Sequence, residues 1–197
     1  VHTESGKEVA ILLLAAGPSR RLGSPKQLLQ YKNRSLLRFT TEIALASKAY
    51  RAYVVLGAEA DRLGTEIADL RVDIIQNPDW EEGIASSIRA GVGAVPGTTN
   101  AILIMLCDQP LVSVTLLNDM IDAYHSSGKR IVACEYGETL GAPALFDGSL
   151  VADLVRLTGD RGAKQVIATH AAEVCKISFP EGLVDIDTMN DYQSLAP

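Results

Sequence analysis

The residues best equipped for chemistry fall in three short stretches. The first, Ala15-Ala16-Gly17-Pro18-Ser19-Arg20-Arg21-Leu22-Gly23-Ser24-Pro25-Lys26, follows an aliphatic run and gathers two glycines and three cations. Glycine lets a backbone approach an anion closely, and free N–H groups cradle phosphate oxygens. Arg21 offers a planar fork and Lys26 a compact point charge. Neither GxxxxGK[ST] nor GxGxxG can be placed here, so a phosphate cradle in this loop is of neither of those kinds. The competing reading is a solvated turn whose glycines serve geometry alone. The second stretch, Cys107-Asp108-Gln109-Pro110, also follows an aliphatic run. A carboxylate there suits Mg²⁺, which takes one or two carboxylates plus phosphates and water. It equally suits the N-cap of a helix beginning near Val112. The third, Asp185-Ile186-Asp187-Thr188, offers a second carboxylate for such a site, or a cap for the helix expected near Asn190.

The elements that must position these residues alternate along the chain. Aliphatic patterning predicts strands at Val9–Leu14, Ala52–Leu56, Val72–Gln76, Ala101–Leu106, Arg130–Cys134 and Val174–Ile177. Helical spacing predicts helices at Leu36–Ser47, Ala60–Asp69, Ile84–Val92, Val114–His125, Ser149–Leu157 and Ala163–Thr169. Ile11-Leu12-Leu13-Leu14 and Ile102-Leu103-Ile104-Met105-Leu106 are apolar throughout, as strands covered on both faces are. Alternating strands and helices of this kind predict an α/β doubly wound, mainly parallel sheet with helices on both faces, Rossmann-like in its winding. If the sheet reverses beside its first strand, the fourth strand lies next to the first. The loops carrying Lys26 and Asp108 then meet beyond the carboxyl ends of those two strands. One domain spanning 1–197 is expected, with a loose polar tail over 1–7.

Leu14-Ala15-Ala16-Gly17-x-Ser19-x-Arg21-x-Gly23-x-Pro25-Lys26 resembles the signature loop of nucleotidyltransferases typified by molybdenum cofactor cytidylyltransferase. The resemblance implies that the amides around Ala16 and Gly17, with Arg21 and Lys26, hold a triphosphate. Lys26 then also stabilises charge developing at the transferred phosphate. Cys107-Asp108-Gln109-Pro110 resembles the cytidylyltransferase branch, which implies Asp108 as a metal ligand, with Asp187 completing the site. Met189 stands where that family usually has Pro. Asn77-Pro78-Asp79-Trp80-Glu81-Glu82-Gly83-Ile84-Ala85-Ser86-Ser87 resembles a further family segment, in which Gly83 opens a turn and Ser87 helps recognise the base. Trp80 is read as a core residue. On the acceptor side, Gly141 and Pro143 match a G-x-P-x-x-F stretch, and the N–H groups around Gly159, Asp160 and Gly162 are placed to meet an acceptor phosphate. An ordinary loop capped by Asp160 is the alternative there. The matches run from Leu14 to Asp187.

The implied reaction is Mg²⁺-assisted transfer of CMP from CTP to a phosphorylated acceptor, the molybdenum-bearing pterin cofactor, with a molybdoenzyme as a further partner. Alternatives are guanylyl transfer, another phosphorylated metabolite as acceptor, a nicotinamide- or flavin-dependent oxidoreductase, and a carrier without catalysis. Composition narrows the field further. A net charge of −6 argues against a nucleic-acid-coating surface. Val9 to Gly17, the longest apolar run, is too short for a bilayer, so no membrane partner and a cytoplasmic location are expected. The cysteines, Cys107, Cys134 and Cys175, form no CxxC pair and suggest neither zinc nor a disulfide. His2, His125 and His170 match no triad or metal spacing.

Overall fold

The computed structural model describes residues 8–19 and 22–195. In chain order, β1 (Val9–Leu14) leads to a hairpin of β2 (Gln30–Tyr31) and β3 (Arg34–Ser35), then α1 (Leu36–Leu45). Next come β4 (Arg51–Leu56), α2 (Ala60–Thr65), β5 (Asp73–Gln76), α3 (Ile84–Ala94) and β6 (Ala101–Leu106). The remainder is α4 (Val114–Ser127), β7 (Ile131–Tyr136), β8 (Thr139–Asp147), α5 (Val151–Val155), α6 (Lys164–Thr169), β9 (Val174–Ser178) and α7 (Met189–Leu195).

Among the described residues the main sheet has the order β5-β4-β1-β6-β8-β7-β9. β1 pairs in parallel with β4 and with β6, Leu14 lying opposite Val55 on one side and Leu106 on the other. The first strand and the Ala101–Leu106 strand are therefore neighbours, as the doubly wound reading expects. Every residue of β1 is buried. Val9, Ile11 and Leu13 join the core under α1, α2 and α4, whereas Ala10, Leu12 and Leu14 join the core under α3, α5 and α6. This two-sided burial explains why β1 reads as a continuous apolar run instead of an alternating one. Fully burying one such leucine contributes about 1.5–3 kcal/mol. No helix among the described residues is long and apolar enough to cross a membrane.

Three elements differ from expectation. β8 lies where no strand was predicted, and it runs antiparallel to both β6 and β7. Its pairing with β7 slips between Ala133/Ala144 and Cys134/Gly141, so Ala142 and Pro143 fall in the irregularity. A proline cannot donate to a ladder and is tolerated at such a slip; that same proline hides the strand from pattern reading. The predicted Ser149–Leu157 helix is split into a 3₁₀ turn, Gly148–Leu150, and the short α5. The β2–β3 hairpin was also unpredicted; Lys32 and Asn33 turn it with φ of 49° and 65°, the two positive values a tight hairpin requires.

Candidate nucleotide site

The loop after β1 is shaped from within. Pro25 precedes a 3₁₀ turn, Lys26–Leu28, and its carbonyl accepts from Leu28 N–H at 3.0 Å. Inside that turn Gln27 is buried, and its Nε2 donates to the carbonyls of Ala15 and Gly17 at 2.8 and 2.9 Å. Ser19 Oγ accepts from Lys26 N–H at 2.9 Å and donates to Gln27 Oε1 at 3.2 Å. Ser19 is held at φ 53°, a region a residue with a Cβ enters at some cost. Gly23 lies four residues further on, with φ 70°. Arg21, the other cation assigned to this loop, lies outside the described residues.

Lys26 is the meeting point. Its Nζ donates to Asp108 Oδ2 at 2.5 Å and to Asp187 Oδ1 at 3.0 Å. Burial alone would lower the lysine pKa, but the Asp108 carboxylate, and then Asp187, outweigh it and raise the pKa above 10.5. The ammonium is therefore charged at neutral pH. The 185–187 segment is pinned by Ile186 N–H, which donates to the carbonyl of Asp108 at 3.0 Å while the Ile186 side chain is buried. Asp185 lies beside the pair, and its pKa is raised by burial and by repulsion from Asp108 and Asp187.

The capping alternatives resolve in favour of other residues. Ser113 caps α4, its Oγ accepting from Leu116 N–H at 3.1 Å, so the helix starts at Val114 as its spacing predicts and Asp108 is not the cap. At the start of α7, Thr188 Oγ1 accepts from Asp191 N–H at 3.3 Å, and Asp191 Oδ2 accepts in return from Thr188 N–H at 2.7 Å. That reciprocal pairing leaves Asp187 Oδ1 directed at Lys26.

Asp108 Oδ1 is buried and has no hydrogen-bond partner among the described residues. Two carboxylates within reach of one cation, one with an orphaned oxygen, form a hard donor set of the kind Mg²⁺ or Mn²⁺ takes. No group of three or more His, Cys, Asp or Glu side chains that could hold a metal occurs among the described residues. An ion held by this pair therefore needs further oxygens from a ligand or water.

Three cavities share Ile84 and Asp160 as walls, and Lys26 lines two of them. One of about 300 Å³ holds Leu14, Ala15, Ala16, Gly17, Ser87 and Asp108 on its walls. One of about 710 Å³ is bounded by Ser19, Lys26, Trp80, Gly83 and Asp187. The third, about 460 Å³, is largely aliphatic, with Gln109, Tyr136, Asp160, Arg161, Lys164, Gln165 and Asp185 as its polar members. Asn77 Nδ2 donates to Ser86 Oγ at 2.9 Å and to Ser87 Oγ at 3.0 Å, fixing the first turn of α3. Trp80 is half-buried against the second core and walls two of the cavities.

Gly83 enters α3 at φ 119°. A Cβ there would lie 2.5 Å from Asp160 Oδ1 and 2.6 Å from the backbone of Gly159, so only glycine lets the 159–162 loop cross at this point. Ala85 N–H donates to Gly159 O at 3.1 Å, and Gly159 N–H donates to Glu82 Oε1 at 3.2 Å. The expectation that Gly159 offers its N–H to an acceptor phosphate is thus corrected, because Glu82 already takes it. Asp160 and Gly162 do reach cavity walls. On β8 it is Ala142 and Ala144 that line the largely aliphatic cavity, with Gly141 and Pro143 buried behind them. Gly141 has an indirect part: a Cβ there would meet the Tyr136 hydroxyl at 2.2 Å and Lys164 Cε at 2.8 Å, two groups of that cavity.

Sequence reasoning missed Gln27, Asn77, Tyr136 and Asp185 as site residues. Asp185 carried a signal, lying two positions from a predicted ligand. The buried amides of Gln27 and Asn77 look like surface residues until the fold encloses them.

Residues 11–174 match the MobA-like NTP transferase domain. Nicotine blue oxidoreductase from Paenarthrobacter nicotinovorans is 36% identical over 164 residues, covering 78% of each chain. The molybdenum cofactor cytidylyltransferase of Escherichia coli (strain K12) is 24% identical over 182 residues, covering 92% of each. Among solved structures, Rv0371c from Mycobacterium tuberculosis H37Rv superposes with a TM-score of 0.86 at 30% identity, covering 97% of this chain and 98% of that one. A second structure of Rv0371c is a complex with manganese. A glycine-bearing loop after the first strand, a lysine bridging two carboxylates, and these likenesses over most of the chain lead to one conclusion: the protein belongs to the MobA-like NTP transferase domain family.

Proposed function

We propose that the protein transfers CMP from CTP to the phosphate of a small acceptor, the molybdenum cofactor, and releases pyrophosphate. The observation that carries this reading is the Lys26 ammonium held between Asp108 and Asp187 on the walls of two adjoining cavities. An acceptor phosphate oxygen attacks the α-phosphorus in line, the bond to the bridging oxygen breaks, and pyrophosphate departs with the electron pair. Chemistry of this kind needs alignment and charge neutralisation more than a covalent nucleophile. Lys26 supplies a fixed positive charge to the oxygens that gain negative charge. The Leu14–Gly17 backbone and Ser87 shape the nucleotide's seat, and Ser19, Gly23 and Pro25 hold the loop that carries Lys26. Arg21 is assigned to the triphosphate as a second cation. Asp108 and Asp187 would hold Mg²⁺, which when bound neutralises phosphate charge. Asp160 and Gly162 border the acceptor's side, and a molybdoenzyme is the partner that receives the product.

The test is a pyrophosphate-release screen of four nucleoside triphosphates against phosphorylated acceptors, molybdopterin included. CTP is expected to exceed GTP in kcat/KM by ~10-fold or more, the factor that ~1.4 kcal/mol of differential base contact gives. A GTP preference would overturn the base assignment and keep the reaction class.

A second reading has one specific support, the 36% identity to a protein named an oxidoreductase. It predicts NADH consumption in the presence of an electron-accepting dye. Such consumption, with no pyrophosphate released from any triphosphate, would replace the transfer reading.

A further inference from the structure

Gln27 is 1% exposed, beside a lysine at the centre of the site. A carboxamide buried so completely needs partners for its donors and its acceptor. Its donors reach two carbonyls of the loop after β1, Ala15 and Gly17, and its oxygen takes the Ser19 hydroxyl. Ser19 Oγ in turn receives the N–H of Lys26. One side chain thus fastens three loop residues to the turn from which Lys26 projects.

The consequence lies in the peptide planes. In a planar trans peptide the N–H points opposite to the carbonyl. With the Ala15 carbonyl drawn to Gln27, the N–H of Ala16 points away from it. The Ala16 carbonyl accepts from Ala58 N–H at 3.1 Å, which likewise directs the N–H of Gly17 away from Ala58. Ala16 and Gly17 both line the 300 Å³ cavity beside Lys26. We infer that Gln27 is a positioning residue: by holding the Ala15 carbonyl it turns the Ala16 amide, beside the Gly17 amide that Ala58 directs, into a nest for the polyphosphate of a nucleotide, and it registers that nest against Lys26. The ligand's identity rests on the transfer reading; the geometry does not. No shorter or simpler side chain fits the role. Glutamate cannot donate to two carbonyls, and methionine leaves two carbonyls and a hydroxyl without their partner.

The test uses inorganic tripolyphosphate, which needs no turnover. Titration calorimetry is run on the unmodified protein and on Gln27→Met and Gln27→Glu, with the melting temperature of each recorded. Tripolyphosphate affinity should fall by ~10-fold in Gln27→Met, and further in Gln27→Glu, where a carboxylate faces two carbonyl oxygens. Affinity within twofold of the unmodified protein in a folded Gln27→Met overturns the assignment. A second measurement covers variants that do not fold. In the unmodified protein, tripolyphosphate should shift the Ala16 and Gly17 amide resonances most, and stationary resonances at both positions while ligand binds would also overturn it. Absence of pyrophosphate release would remove the proposed reaction without altering any of these outcomes.

Discussion

From β5 through β4 and β1 to β6 every neighbouring pair of strands is parallel, whereas β8 runs against both β6 and β7. The parallel half ends all its strands at one edge, where loop backbone, tightened by Gln27, becomes the working surface. The antiparallel strand brings its own beginning to that edge, so the other half contributes strand side chains and the Tyr136–Gly141 hairpin. One half of the site is made of main chain on a rigid frame. The other is made of side chains that a single added carbon can move. On the proposed function, the half that carries Lys26 and Asp108 should therefore fail through lost charge, and the half that carries Tyr136 and Gly141 through altered shape.

The largest expected effect tests the first part of that contrast. Lys26→Ala should lower kcat by ~10²–10³, the loss typical of one preorganised charged donor, with CTP affinity by calorimetry falling much less. Lys26→Arg should restore only part, since a planar fork does not replace a compact ammonium. A variant that loses affinity and kcat/KM equally while keeping kcat would reduce Lys26 to a binding group. Asp108→Ala should be comparably severe in Mg²⁺-dependent turnover, with an unchanged melting temperature. Asp187→Ala should cost less, roughly 10-fold, because a solvent-facing charge is worth ~1 kcal/mol where an enclosed one is worth more. The Asp187 side chain is 51% exposed against 20% for Asp108. Equal losses from the two aspartates would erase that ranking.

Shape is the subject of the next prediction. Gly141→Ala should push Tyr136 and Lys164 out of place, at ~1–3 kcal/mol of stability, and raise the KM of the acceptor while CTP affinity holds. A fall in CTP affinity instead would mean that the two halves are not separable.

The smallest effect is a pH dependence with one ion pair in each half. Arg38 holds Asp69 down to about 2 from an ordinary 3.8, and Arg130, with burial opposing, holds Glu173 down to about 2 from 4.5. A depressed carboxylate stabilises the fold above its unfolded value, and that stabilisation disappears as pH falls through the folded one. Asp69→Asn and Glu173→Gln should each lower the melting temperature slightly at pH 7, and the gap should shrink as pH falls through 2 and close only below it. Both pairs face solvent, so high salt should shrink the difference. A melting-temperature gap that stays undiminished from pH 7 to below pH 2 would assign the effect to packing.

Much of the frame was legible because burial on two faces leaves an unmistakable aliphatic run, as in β1 and β6, and because parallel strands must cross over. With the sheet reversing beside its first strand, the meeting of the loops that carry Lys26 and Asp108 followed from that, and the two side chains touch across 82 positions. The role of Asp187 came from family resemblance, and its contact with Lys26 now accompanies it. β8 was illegible because Gly141 and Pro143 interrupt its pattern at the pairing slip. Gln27 was illegible for another reason: a carboxamide has the same composition whether it meets water or three loop residues.

Lys26 and Asp187 are separated by 161 positions, and this spacing acts in time as well as in space. At ~5–20 residues per second on a ribosome, the loop precedes its last carboxylate by roughly 8 to 32 s. For that interval a newborn chain carries the lysine without its second carboxylate. The last member of the ion-paired trio is delivered late in synthesis, by residues beyond the 11–174 stretch that matches the family.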